Sequence, residues 1–264
     1  MTKAPTPGSS AAVTPERPPA SLRLLWSLLL LGLLSLALYA TFATVHYTWN
    51  WRAAWDYRAQ FFQGWLTTLG ISIGAMLLSV LLGFGLMLGR RAHLEPLRLF
   101  CTGVVEVVRG SPLLVQLLLG YYIVATAVGI TSPLVVGTLL LGLFEAAYLA
   151  EIFRGAVESI GRSQWEAARA VGFDTAQTYR HVIIPQAVRR ALPGTTGELV
   201  SLIKSSSLLS VIGIEELVQK VRVMNSASYT ALEGYLPLAA AYLAVTLPLS
   251  WAARRLERRF AYET

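Results

Sequence analysis

GWLTTLGISIGAMLLSVLLGFGLMLG, residues 64–89, runs from one glycine to the next without a charged side chain. As an α-helix it extends about 39 Å, more than the roughly 30 Å hydrocarbon core of a bilayer. Two further runs read the same way: LLWSLLLLGLLSLALYATFATV, Leu24 to Val45, and YLPLAAAYLAVTLPLSWAA, Tyr235 to Ala253. The 264 residues are 55% hydrophobic and only 14% charged. A soluble domain carries about 25% charged residues. Burying these helices in a soluble core would need comparable polar segments to cover them, and the sequence has none. The fold class read from these runs is all-α, a polytopic transmembrane helix bundle.

Three weaker segments bring the total to about six spans. Leu97 to about Ile130 holds an apolar run after Gly110. Pro133 to Phe153 is apolar except for Glu145 and Glu151, and Thr195 to Ile214 except for Glu198 and Lys204. Charge placement orients them. With the N-terminus inside, the first tail, residues 90–99, residues 154–194 and the C-terminal end hold 16 of the 22 Lys and Arg. The other side holds 4 (Arg52, Arg58, Lys220, Arg222), and 2 (Arg109, Lys204) lie at membrane depth. This bias follows the positive-inside rule, so both termini are read as cytoplasmic. It also accounts for the net charge of +7 without nucleic acid.

Residues 1–22, rich in Pro, Ser, Thr and Ala, are expected to form a disordered cytoplasmic tail. The span over residues 23–46 is too long for a typical signal peptide and lacks a small-residue cleavage site, so it is read as a retained anchor. Residues 47–63 are dense in aromatics and read as an outer interfacial loop. The single cysteine, Cys101, lies in an apolar segment, and no metal-ligand spacing exists.

Charges at membrane depth are costly and mark function or pairing. In EVVRGSPLL, Glu106 and Arg109 are three apart on a helix and can pair, while Gly110 and Pro112 break it. The break is either a kinked salt bridge at the cytoplasmic edge or part of a gate. Glu145 lies mid-span with Tyr148 on the same helical face. Facing a cavity, Glu145 can hold a cationic or amino group of a solute; otherwise it bonds a neighbouring helix. Glu198, Ser201 and Ser205 fall near one face, with Lys204 offset from it. That pattern lines a bundle interior or a path rather than lipid.

Residues 154–194 read RGAVESIGRSQWEAARAVGFDTAQTYRHVIIPQAVRRALPG. Ser163 is placed to cap a helix starting near Gln164, with Trp165, Ala168 and Val171 as its apolar stripe. Gly172 suits a left-handed stop. Asp174 or Thr175 caps a second short helix, which Pro185 is expected to end. Two short helices meeting at a glycine form a compact cytoplasmic projection.

The string EAARAVGFDTAQTYRHVIIP resembles the EAA loop of ABC-importer permeases: Glu-Ala-Ala, three residues, Gly, nine residues, Ile-x-Leu-Pro. Glu166, Ala167, Ala168, Gly172 and Pro185 match, and Val182 and Ile184 replace Ile and Leu with other apolar residues. EVVRGSPLLVQLLL, AAYLAEIFRGAVESI, PQAVRRALPG and LIKSSSLLSVIGIEEL are similar to the polar-amino-acid branch of that family. The resemblance implies a five-span permease domain over residues 64–264 and makes residues 23–46 an extra N-terminal span. It implies that the projection docks on a cytoplasmic ABC ATPase dimer, which would carry the ATP and Mg. It implies a second permease subunit, in a homo- or heterodimer, and an extracytoplasmic solute-binding protein. The chain has no GxxxxGK[ST] loop, so it is read as a non-enzymatic transport subunit with no cofactor of its own. The solute is expected to be a polar amino acid or, alternatively, another small polar solute. An ATP-independent secondary transporter would explain the intramembrane charges equally well, though not the EAA spacing.

Overall fold

The structure, a computed structural model, describes residues 19–44 and 47–260. The disordered tail expected over residues 1–22 lies outside the described residues as far as residue 18, and its last three residues, Ala20 to Leu22, are helical. The chain divides into two units, Met1–Trp49 and Asn50–Thr264. In the first, α1 (Ala20–Thr44) is an uninterrupted helix, and its leucines, such as Leu30, Leu33 and Leu36, are exposed. A helix apolar on every side is suited to lipid rather than to one packed face.

The second unit contains α2 (Trp51–Asp56), α3 (Arg58–Gly89), α4 (Glu95–Gly110), α5 (Leu113–Leu119), α6 (Thr126–Val128) and α7 (Pro133–Glu158). It continues with α8 (Arg162–Ala170), α9 (Thr175–Thr178), α10 (Ile184–Ser205), α11 (Leu217–Ser228) and α12 (Leu232–Phe260). Four helices are long and apolar enough to cross a membrane, or six spans if two bent pairs are each counted as one.

α3 and α7 form the central seam. Lipid offers no hydrophobic drive for helices to associate, so close van der Waals contact must hold them. Small residues permit it. A Cβ on Gly83 would stand 2.9 Å from the Ala146 carbonyl oxygen, and one on Gly142 would stand 2.7 Å from Leu78 Cδ2. The glycines are reciprocal, one from each helix, and Ala75, Ala146, Ala147 and Ala150 bury completely beside them. Ile71, Leu117, Leu141, Leu202 and Leu209 fill the core between this seam and α5 and α10.

The segment read as one span from Leu97 to Ile130 is two helices bent by 111°. Ser111 and Pro112 are extended, which ends α4. Gln116 then staples the corner: its Nε2 donates to the carbonyls of Val108 (2.7 Å) and Ser111 (3.2 Å) and to Ser111 Oγ (2.8 Å). Carbonyls freed by the break thus find a donor, as a low-dielectric setting demands.

Pro185 does not end the helix that Asp174 starts. A π turn over Tyr179–Ile183 precedes it, and Pro185 falls in the first turn of α10. The wider turn absorbs the missing N–H and the ring clash that would otherwise stop the helix. Thr175 to Ile212 is therefore continuous. Residues 47–63 are largely helical: α2 is followed directly by α3, and the Arg58 guanidinium lies 4.7 Å over the Trp55 ring.

Candidate coupling surface and intramembrane site

The projection is organised by short-range signals. α8 starts at Arg162 after Gly161, so Ser163 lies inside the first turn and is not its cap. At its end Gly172 adopts φ +84°, Phe173 N–H donates to the Ala168 carbonyl (3.1 Å) and Gly172 N–H to that of Arg169 (3.0 Å). This is a Schellman closure, with glycine at the position that needs the left-handed conformation. Nothing lies within 4 Å of a Cβ built on Gly172, so its requirement within this chain is conformational rather than steric. Asp174 and Gln177 complete a reciprocal capping box, with Gln177 N–H donating to Asp174 Oδ1 (2.8 Å) and Asp174 N–H to Gln177 Oε1 (3.0 Å).

Beneath these turns Val157, Ile160, Ile183 and Ala187 form a small core, covered by Trp165, Tyr179 and Val182. Trp165 meets Tyr179 edge-to-face at 5.2 Å. Ala168 buries toward this core, whereas Val171 is exposed and does not extend the expected stripe. Glu166, Ala167, Gly172, Ile184 and Pro185 are all exposed, and Val182 is half-buried. Most of the EAA-pattern residues thus stand on the surface of the projection.

A charged hub connects the projection end of α7 to the bundle. Glu151 pairs with Arg90 of α3, with Arg154 of its own helix (2.6 Å) and with Arg109 of α4 (3.8 Å). Arg109 therefore turns to Glu151 rather than to Glu106, which is exposed on α4. The Arg109 guanidinium also lies 5.5 Å over the Tyr148 ring. Gly110 and Pro112 follow it at the break between α4 and α5.

Deeper in the bundle Glu145 is 1% exposed, and its Oε2 has no hydrogen-bond partner. The Glu198 carboxyl of α10 faces it. Tyr148, one turn along α7, is half-buried against Phe144. Ser201 and Ser205 are half-buried on α10, and Lys204 points away, exposed. The structure thus brings Glu145 and Glu198 together, sets Tyr148 against Phe144 and Arg109 one turn along, and leaves Lys204 and Glu106 exposed. A carboxyl oxygen without a partner, facing a second carboxyl, is an acceptor set for a cationic or N–H-rich group.

Glu216 escaped the sequence reading. It is fully buried and caps α11, accepting from Val218 N–H and Gln219 N–H, both at 2.9 Å. Thr68 of α3 donates to Glu216 Oε2 (3.4 Å) and accepts from Leu217 N–H (3.1 Å). Gly64, one turn away on α3, lets the α11 backbone approach: a Cβ there would stand 3.0 Å from Leu217 Cα. The available signal was an acidic residue directly before an apolar helical run, a start signature usually looked for in Ser, Thr, Asp or Asn.

Comparison with known proteins agrees with this architecture. The family model described as binding-protein-dependent transport system inner membrane component matches residues 81–262. The arginine ABC transporter permease protein ArtQ of Haemophilus influenzae is 33% identical over 78% of this chain and 95% of its own length. The glutamine transport system permease protein GlnP of Escherichia coli is 34% identical over 80% of this chain and 97% of its own. A crystal structure of an amino acid ABC transporter with histidines superposes with a TM-score of 0.75 at 34% identity, covering 81% of this chain and all of that one. The chain belongs to the family of binding-protein-dependent transport system inner membrane components, multi-pass permease subunits of ABC importers in the cytoplasmic membrane.

Proposed function

We propose that this permease moves a polar amino acid bearing a cationic or amino-rich side chain, with Glu145 as its principal acceptor. The observation that carries the reading is the buried, unpartnered Glu145 Oε2 opposite Glu198. A bare carboxyl at this depth is costly, and a bound ammonium or guanidinium relieves it. Tyr148, Ser201 and Ser205 supply further polar groups along the same path, and Lys204 is turned away from it. The relatives named for arginine and glutamine transport support an amino acid as the solute. Arg109, paired with Glu151, and Gly110 and Pro112 at the α4–α5 break form the gate element in this reading, with Glu106 on the outer face of α4.

Glu166, Ala167, Gly172, Val182, Ile184 and Pro185 form the docking face for a cytoplasmic ATPase dimer, which binds and hydrolyses ATP with Mg, and the buried Ala168 supports that face from beneath. A second permease subunit, identical or related, completes the path, and a solute-binding protein delivers the solute from outside. The experiment is uptake into proteoliposomes holding the assembled transporter. Glu145→Gln is expected to lower uptake of arginine or lysine at least about tenfold, the worth of a hydrogen bond to a charged group. Unchanged uptake of every amino acid makes Glu145 a structural residue. Gly172→Asp is expected to abolish uptake while the protein still inserts. Gly172→Asn controls for it, because both side chains tolerate a positive φ and only one adds charge. Equal flux without ATP and ATPase overturns the importer mechanism in favour of secondary transport.

A further inference from the structure

The outward stripe of α12 changes chemistry along its length. Leu236, Leu243, Leu247 and Trp251 are all exposed, Leu236 least at 44% and Leu247 most at 58%. At about 100° per residue they lie within one narrow arc of the helix. The same arc continues into Arg254 and Arg258, with Arg255 at its edge and Arg259 about 120° round from its centre, all exposed. Ala253, the buried residue of this turn, lies on the opposite side. From Leu236, Trp251 is about 22 Å along the axis and Arg258 about 33 Å. Those distances are the order of a bilayer: leucines at acyl-chain depth, tryptophan at the interface, arginines among the headgroups.

The four arginines are not consumed by the fold. Among the described residues none of them makes an ion pair, although acidic partners hold Arg90, Arg91, Arg98, Arg109 and Arg154. Arg255 instead stacks over Trp251, with its guanidinium carbon 5.2 Å from the ring centroid. That contact turns the indole and the guanidinium toward one surface. A planar guanidinium matches phosphate oxygens in bidentate fashion.

We propose that Trp251, Arg254, Arg255, Arg258 and Arg259 form a binding site for anionic phospholipid headgroups on the cytoplasmic leaflet. The partner is the lipid rather than a protein. The stripe is continuous with a lipid-facing apolar face, and four unpaired cations at headgroup depth match a layer of phosphates. The test places the full chain in nanodiscs of dioleoylphosphatidylcholine mixed with dioleoylphosphatidylglycerol, one lipid brominated at a time. The fluorescence difference between wild type and Trp251→Phe isolates the Trp251 signal. Brominated phosphatidylglycerol is expected to quench Trp251 more strongly than brominated phosphatidylcholine, and added salt to reduce the excess. Local enrichment is expected to fall by up to about fivefold for each arginine removed. R258Q/R259Q therefore weakens it and R254Q/R255Q/R258Q/R259Q abolishes it. Glutamine keeps the helix, so circular dichroism of the variants stays that of wild type. Equal quenching by the two lipids, or an excess that survives the fourfold substitution, overturns the proposal. Release of a co-purified ATPase subunit by the fourfold variant, with no lipid contrast, would assign the arginines to a protein contact instead.

Discussion

In the cytoplasmic projection each turn is set by residues within a few positions of it. Gly172 closes α8, Asp174 and Gln177 open α9, and Trp165 with Tyr179 covers a core of a few side chains. The α3–α7 seam has the opposite construction. Its closeness depends on Gly83 meeting Ala146 and Gly142 meeting Leu78, pairs some 60 residues apart in sequence. The contrast teaches where tolerance lies. Water solvates an imperfect projection, whereas the seam has neither water nor a hydrophobic drive to compensate for a lost contact.

Three substitutions test the contrast, in descending size of effect. Gly83→Val drives side-chain atoms into the Ala146 carbonyl and Leu149, so it is expected to cost about 3 kcal/mol. Loss of the monodisperse peak in detergent size-exclusion chromatography would show it, and an unchanged melting temperature would mean the seam can relax. Glu151→Gln strips the shared partner from Arg90, Arg109 and Arg154. About 2 kcal/mol is expected, below a fully buried pair because the arginines keep partial solvent access. Thermal unfolding should then resemble that of Arg90→Gln more than that of Arg109→Gln, since Arg90 is the better buried partner. Asp174→Ala removes one cap and is expected to cost about 1 kcal/mol. Hydrogen exchange should localise the loss to residues 173–183 and leave α3 and α7 protected. Spread of the effect into the seam would erase the distinction.

Legibility in the sequence follows the same divide. The apolar runs, the glycine stop at Gly172 and the cap at Asp174 are local signals, and each was readable from its own neighbours. The corner at Ser111 and Pro112 was readable as a break but not as a 111° bend, because Gln116 and the packing of α5 against the core set the angle. Glu106 and Arg109 showed a pair by spacing, yet Arg109 reaches Glu151, some 40 positions away. The pairing of Glu216 with Thr68, 148 positions apart on different helices, has no local signal for the same reason, although Glu216 as a helix start does. Pro185 misled because a proline usually stops a helix, and the π turn that accommodates it has no simple residue signature.

That continuation past Pro185 makes the helix a drive shaft. Thr178, beneath the projection, and Glu198, opposite Glu145, sit on one shaft about 30 Å apart. Pro193 removes one rung of its ladder without severing it. A shaft delivers torque, and residues along it keep a fixed angular phase. Ser201 trails Glu198 by about 60° around the axis. Under the function proposed above, a sixth of a revolution at the docking end, with a slide of about 4.5 Å along the axis, would put a hydroxyl in place of a carboxyl in front of Glu145.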